Sequence, residues 1–262
     1  MKNWNRYIFI FCTAVVFGTA AVSYCAARSE GDAVEQPGKI AGATYVGMET
    51  CAMCHEKIAK NFKRSDHARI VVASKAKEGQ ACETCHGPGS LHADAQTKAE
   101  KHATIINPKK TPETCYQCHM DKKASFNLQY HHPVPEGKMS CADCHDPHGE
   151  DAIRPNTNRS LSPKNAVCAK CHKDQTMVFA YEHDALREGC TTCHDVHGSI
   201  NDKMLVERDA TLCLKCHFQA NFPSTGNIGN RGHATSVNRG PCWSGGCHTA
   251  VHGSNYNDHL RI

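Results

Sequence analysis

The five-residue pattern C-x-x-C-H recurs along the chain and constrains its fold more than any other feature. Seven copies begin at Cys51, Cys82, Cys115, Cys141, Cys168, Cys190 and Cys213. An eighth site has four residues between Cys242 and Cys247, and a histidine again follows directly. We number these sites I to VIII in chain order. Of the 18 cysteines, only Cys12 and Cys25 fall outside them, so the sites leave no spare thiol after the N-terminal segment.

This spacing is the attachment signature of haem c. Two thiols bond to the vinyl groups of one porphyrin, and the adjacent histidine becomes the proximal ligand of the iron. A shuffled chain of this composition would contain only about 0.09 such pentads. Zinc also binds C-x-x-C pairs, but zinc ribbons do not require a histidine after each pair. Gly245 and Gly246 provide a loop for the two extra residues of site VIII.

The sequence therefore predicts eight haem c groups. Their predicted attachment residues are Cys51, Cys54, Cys82, Cys85, Cys115, Cys118, Cys141, Cys144, Cys168, Cys171, Cys190, Cys193, Cys213, Cys216, Cys242 and Cys247. The predicted proximal ligands are His55, His86, His119, His145, His172, His194, His217 and His248.

Eleven further histidines remain, and most recur at similar places around the sites. One precedes a site by seven to fifteen residues, and a second follows the proximal histidine by a few residues. A lone histidine is ordinarily a surface or hydrogen-bonded residue, but a repeated register favours iron ligation. His131 and His132 compete for one place, and no methionine shows a comparable repeat. The predicted distal ligands are His67, His92, His132 (or His131), His148, His183, His197, His233 and His252.

The histidine pattern also predicts the architecture. Sites flanked by histidines on both sides begin at Cys82, Cys141, Cys190 and Cys242, with a simpler site before each. This indicates four two-haem units of about 50 residues in a linear array. With two haems for about 50 residues, the polypeptide is too short to build an ordinary core, and the porphyrins themselves would form the hydrophobic core. We therefore expect no stable fold without haem. The predicted fold is irregular, mostly coil with short α-helices and little or no β structure. Its two-haem repeats are predicted to form an elongated array.

Local patterns predict where the few regular elements lie. Apolar spacing favours a helix from Ala52 to Lys63, and an Ala- and Lys-rich stretch favours another from Leu91 to Ala103. Pro, Gly and Asn predict loops at Asn107–Pro112, Pro133–Gly137, Pro155–Pro163 and Pro223–Gly232.

The N-terminus has the pattern of an export signal. Lys2 and Arg6 precede an apolar stretch at residues 7–22, which is short for a transmembrane span. We predict a signal peptide at residues 1–27, a flexible linker at 28–44 and an octahaem cytochrome domain at 45–262, in the bacterial periplasm. Lipidation at Cys25 and an uncleaved signal remain alternatives. The formal net charge of +4 is small and scattered, which argues against nucleic-acid binding.

Several strings resemble one family. They are YVGMETCAMCH from Tyr45, CETCHGPGSLH from Cys82, CHDPHG from Cys144, GCTTCHDVHGS from Gly189, LCLKCH from Leu212 and GCHTAVHGSN from Gly246. They resemble periplasmic multihaem cytochromes of outer-membrane conduits in metal-reducing bacteria, and the related electron donors to extracellular DMSO reductase. The best-known members carry ten haems, so eight sites point to the octahaem forms of porin–cytochrome conduits.

The resemblance implies a function and partners. Such a cytochrome associates with the outer membrane, partly inside a β-barrel porin, and takes electrons from an inner-membrane or periplasmic cytochrome. It passes them to an outer-surface multihaem cytochrome for extracellular respiration. The histidine supply supports electron transfer over enzymatic activity, because it suffices to close both axial positions of every iron. The alternatives are a multihaem oxidoreductase acting on a nitrogen or sulfur oxyanion, and a subunit of an extracellular cytochrome filament.

Overall fold

The computed structural model describes most of the chain after the N-terminal segment. The described residues are 40–73, 81–149, 163–218, 220, 222–228, 231–237, 240–243 and 246–261. The predicted signal peptide, most of the predicted linker and the loop at 155–162 lie outside them, so the predicted domain boundaries stay predictions. Among the helices in these ranges, none is both long and apolar enough to cross a membrane.

Short helices separated by irregular coil make up most of the described chain, as predicted. The α-helices are α1 Met48–Cys54, α2 Glu56–Phe62, α3 Asp66–Ala73, α4 Glu83–His86, α5 Ser90–Asp94, α6 Lys98–Ala103, α7 Glu113–Tyr116, α8 Met120–Phe126, α9 Pro163–Ala169, α10 Lys173–Thr176, α11 Asp209–His217 and α12 Phe222–Thr225. Single 3₁₀ turns lie at Pro108–Lys110, Cys141–Asp143, Asp184–Arg187, Cys190–Thr192 and Asp202–Met204.

In the part of the chain that the structure describes, the β strands are only two residues long, which agrees with the predicted near-absence of β. Strand β1 (Tyr181–Glu182) pairs antiparallel with β4 (Gly253–Ser254). Strands β2 (Asn227–Ile228) and β3 (Arg231–Gly232) form a hairpin. The predicted loop at Pro223–Gly232 was therefore partly wrong, because it contains this hairpin and most of α12.

The predicted helix from Ala52 to Lys63 is interrupted at its proximal histidine. His55 lies outside the helical region, with φ −115° and ψ 41°, between α1 and α2. His119 and His172 break the chain in the same way before α8 and α10. The backbone N–H of each still donates to the carbonyl of the first cysteine of its site, so the turn closes before the chain changes direction.

The second predicted helix, Leu91–Ala103, is also divided. Ala95 is extended, with φ −62° and ψ 138°, and ends α5. Thr97 then starts α6 through a capping box: its hydroxyl accepts from Glu100 N–H at 3.2 Å, and its own N–H donates to the Glu100 carboxylate at 3.0 Å. Such caps stabilise a helix start by about 0.5–2 kcal/mol, which favours a new helix here over continuation of α5.

The apolar core is small. One buried cluster consists of Tyr116, Phe126 and Val134, with Met139 and Cys141 packed against it. None of the side chains in the described ranges is buried to less than 2 % exposure. Packing of this extent supplies little stabilisation, which fits the expectation that haem completes the core.

Neighbouring units interlock at glycines that follow predicted distal histidines. At each of these glycines a Cβ would collide with a segment of the preceding two-haem unit. The pairs are Gly149 with Asn61, Gly198 with Ser125 and Gly253 with Phe179. Close approach of this kind requires glycine, so the recurring H-G pattern maintains packing between units as well as a turn.

Candidate haem sites

The structure places every predicted proximal histidine opposite one predicted distal histidine. The ring centroids of the eight pairs are 6.0–6.4 Å apart. In site order the pairs are His55–His92, His86–His148, His119–His67, His145–His197, His172–His132, His194–His252, His217–His183 and His248–His233.

This separation fits one metal ion between each pair of rings. A metal–imidazole bond is about 2.0 Å long and the ring centre lies about 1.1 Å behind the nitrogen, so two ligands on opposite sides of one ion put their centroids about 6.2 Å apart. Direct stacking of two rings has no reason to repeat this distance eight times. The residues present therefore fit six-coordinate haem iron with two imidazole ligands.

The relative orientation of the rings divides the pairs into two groups. Six pairs are nearly parallel, with interplanar angles of 7–20°. Two pairs are crossed, His67–His119 at 73° and His132–His172 at 66°. The crossed pairs belong to sites III and V, so these two sites are geometrically distinct from the rest.

The structure favours His132 over His131 at the position that the sequence left open. His132 faces His172, whereas both ring nitrogens of His131 have other partners. Its Nε2 lies 3.0 Å from the Glu136 carboxylate, and its Nδ1 lies 2.5 Å from the Leu128 carbonyl. The hydrogen bond to Glu136 raises the pKa of His131, which opposes metal binding because ligation needs the neutral ring.

The pairing joins different units, which the sequence did not reveal. A histidine that follows an even-numbered site faces the preceding even-numbered site, as His148 faces His86 and His197 faces His145. A histidine that precedes an even-numbered site faces the next odd-numbered site instead. The examples are His67 with site III, His132 with site V and His183 with site VII. At the chain ends the pairing differs: His92 faces site I and His233 faces site VIII.

Backbone carbonyls orient many of these rings through Nδ1. Distal His132 bonds to Val196 O at 2.7 Å and His183 to Val251 O at 3.0 Å, each from the residue before another distal histidine. Further Nδ1 contacts of 2.7–3.0 Å join His86 to Ile106 O, His92 to Lys101 O, His194 to Lys203 O, His233 to Arg231 O and His248 to His259 O. An Nδ1–H that donates to a carbonyl leaves Nε2 as the free lone pair for a metal.

Burial also favours the neutral imidazole, whose Nε2 lone pair is free to bind a metal. It lowers the pKa of His86, His197, His217 and His252, because a charged imidazolium is poorly solvated there. These rings are therefore held in the neutral form that binds iron. His102 and His259, which the sequence pattern left over, face no histidine ring among the described residues, and His259 Nδ1 lies 2.9 Å from the Asp258 carboxylate.

Comparison with known proteins supports a haem protein. The family described as doubled CXXCH motif matches residues 131–177 and 183–221, and the family described as cytochrome c554 and c-prime matches residues 50–81. The multiheme cytochrome MtrA of Shewanella baltica is 29 % identical over 267 aligned residues, covering 80 % of this chain and 79 % of that protein. The cytochrome c-type protein NrfB of Escherichia coli O6:H1 is 27 % identical over 160 residues, covering 57 % of this chain and 70 % of that protein.

The chain is a multihaem c-type cytochrome. It is an electron-transfer protein rather than an enzyme, and it binds haem c through its C-x-x-C-H motifs. The relatives thus confirm the cofactor class that the cysteine spacing predicted.

Consecutive attachment sites of the cytochrome are also neighbours in space. Within a unit, the first cysteine of one site lies against the first cysteine of the other. The hydrogen bond from Cys115 lowers the pKa of the Cys141 thiol to about 7, and the hydrogen bond from Cys168 has the same effect on Cys190. Between units the second cysteine of an even-numbered site lies near the next site. The neighbours in chain order are Cys51 and Cys82, Cys85 and Cys118, Cys115 and Cys141, Cys144 and Cys168, Cys168 and Cys190, Cys193 and Cys216, and Cys213 and Cys242.

Proposed function

We propose that the cytochrome carries eight haem c groups, each with two histidine ligands, and relays electrons along them in chain order. The observation that carries this proposal is the set of eight histidine pairs at 6.0–6.4 Å, one for each attachment site. Haem c supplies reversible one-electron chemistry at its iron.

The residues of the chain have three tasks in this proposal. The cysteines of sites I to VIII would hold each porphyrin covalently, and the proximal and distal imidazoles would supply two nitrogen ligands to its iron. Carbonyls at Nδ1 keep the rings aligned. With two imidazole ligands on each iron, no iron would be open to a substrate, so the haems would supply outer-sphere electron transfer. The unbroken series of neighbouring cysteines supports a relay without a gap between units.

We further propose that this relay is the inner component of an outer-membrane porin–cytochrome conduit. The support is the alignment with MtrA over 80 % of the chain, together with the predicted export signal. The cytochrome would then be periplasmic and associated with the outer membrane. Its partners would be a β-barrel porin, an outer-surface multihaem cytochrome and an inner-membrane or periplasmic cytochrome donor.

The count of eight is tested by the intact mass of the exported protein, which should contain eight haem increments. The conduit is tested in liposomes that enclose a redox dye. The cytochrome assembled with its β-barrel and outer-surface cytochrome should let an external reductant change the internal dye, whereas the cytochrome alone should not. Failure of the full assembly, combined with rapid exchange between the free cytochrome and a soluble periplasmic reductase, would replace the conduit by a shuttle.

A further inference from the structure

A buried carboxylate lies at one end of the proposed relay. Glu83 is 3 % exposed. Its Oε1 accepts hydrogen bonds from Val46 N–H at 2.9 Å and Gly89 N–H at 2.8 Å, and its Oε2 accepts from Gly47 N–H at 2.9 Å. The ion pairs found between described residues do not include Glu83. Three backbone dipoles therefore hold its negative charge, and no cationic side chain among the described residues forms an ion pair with it.

The carboxylate adjoins two attachment sites at once. Glu83 directly follows Cys82, and Cys82 lies against Cys51 of site I. In the free thiols, burial, then Cys82, then the Glu83 carboxylate together raise the pKa of Cys51 to about 11. Burial and, to a smaller extent, the same carboxylate raise the pKa of Cys82. Glu83 is thus placed to influence both porphyrins of the first unit.

No other site has a charge at this position. The residue after the first cysteine is uncharged in the other seven sites, namely Ala52, Tyr116, Ala142, Ala169, Thr191, Leu214 and Trp243. Asp143 in site IV lies one position later, where its carboxylate is 36 % exposed and forms an ion pair with Lys109 at 2.8 Å. The buried, unpaired carboxylate is therefore a feature of the first unit.

We propose that Glu83 lowers the reduction potential of the haems at sites I and II and makes this end of the relay its low-potential end. A fixed negative charge favours the more positive, oxidised state of a nearby iron. Burial strengthens the effect, because neither water nor salt screens the charge. The inference rests on the proposed relay and adds a direction to it: electrons move downhill from sites I and II towards site VIII.

Glu83 also has a structural role, which the test must separate from this one. Its hydrogen bonds hold residues 46–47 at the start of α1, and Thr44 N–H donates to Ser90 Oγ at 2.9 Å beside them. Loss of these bonds alone would change stability without moving a reduction potential in a set direction.

The experiment is a redox titration of the holoprotein followed by visible absorption, with Glu83→Gln compared to wild type and to Asp143→Asn. In Glu83→Gln, two of the eight haems, which account for about a quarter of the absorbance change, should have a higher reduction potential. The expected shift is about 59 mV, which is a tenfold change in the reduction equilibrium constant. The ferric spectrum should stay low-spin. Asp143→Asn should shift much less, because Lys109 already offsets that charge. An unshifted Glu83→Gln titration, or an equal shift in both variants, would overturn the inference.

A second measurement does not depend on the variant folding. Potentials assigned to individual haems in the wild type by NMR should be lowest at sites I and II, and a lower potential at sites VII and VIII would refute the inference. The two proposals fail differently. High-spin haem or fewer than eight haems in the wild type contradicts the relay, whereas a fully low-spin wild type with an unshifted Glu83→Gln contradicts the role of Glu83 alone.

Discussion

Replacing Gly198 with alanine tests how the units are held together. A Cβ at this position would lie 2.8 Å from the carbonyl carbon of Ser125 and still closer to its oxygen, where ordinary contact begins at 3.4 Å. The backbone must therefore yield by at least 0.6 Å. It is restrained beside this point, because Ser199 and Tyr130 exchange backbone hydrogen bonds of 2.8 and 3.0 Å.

The expected loss of stability follows from two opposing effects. Overpacking against backbone costs about 1–3 kcal/mol, and the loss of glycine freedom in the unfolded chain returns about 0.4–1 kcal/mol. The net destabilisation is about 1–2 kcal/mol. For a domain of this size it corresponds to a fall in Tm of roughly 2–8 °C, at about 2–4 °C per kcal/mol.

The assay is thermal unfolding of holoproteins with equal haem content, followed by circular dichroism in the Soret band. Gly232→Ala is the matched control, since it has the same effect on the unfolded chain but its nearest contact, Asn227 Oδ1, is 4.0 Å away. The control has no overpacking to offset that effect, so it should be more stable than wild type by about 0.4–1 kcal/mol. If Gly198→Ala melts with the control, the units do not interlock at this glycine.

Three further outcomes are expected. His132→Ala should create one high-spin haem in the absorption spectrum and His131→Ala none, because only His132 faces a proximal ring; a reversed result would exchange their roles. Alkylation of the denatured protein should leave Cys242 and Cys247 unmodified, since both are thioethers, and a seven-haem mass with two modified thiols would refute site VIII. Electron paramagnetic resonance of the ferric protein should show two low-spin haems distinct from the other six, as the two crossed pairs predict; eight equivalent signals would contradict that geometry.

The chemistry of the sites could be predicted from the sequence, because covalent attachment requires a local spacing. Each C-x-x-C-H motif places its thiols and proximal histidine within one turn, so no tertiary information is needed. The distal candidates could also be chosen from the sequence, since they recur in register with the motifs, and their role as ligands stays a prediction. Their pairing could not be predicted, because a repeated register does not show which unit a histidine faces. Only the fold reveals that His148 crosses to His86 and that His132 crosses to site V.

Helix boundaries and Glu83 were missed for related reasons. The apolar spacing of α1 and α2 continues through His55, so periodicity alone predicts one helix and overlooks the break at the ligand. Glu83 occupies a variable position of its motif, where a charged residue would ordinarily face water. Its burial depends on N–H groups from Val46, Gly47 and Gly89, which converge on it only in the folded chain.

Near-infrared magnetic circular dichroism of the ferric holoprotein tests the central claim most directly. It distinguishes bis-histidine, histidine–methionine and high-spin haem, and its intensity counts each kind per chain. The eight histidine pairs predict eight bis-histidine low-spin haems and no other species. A histidine–methionine band, a high-spin band, or fewer than eight bis-histidine haems per chain would contradict the account.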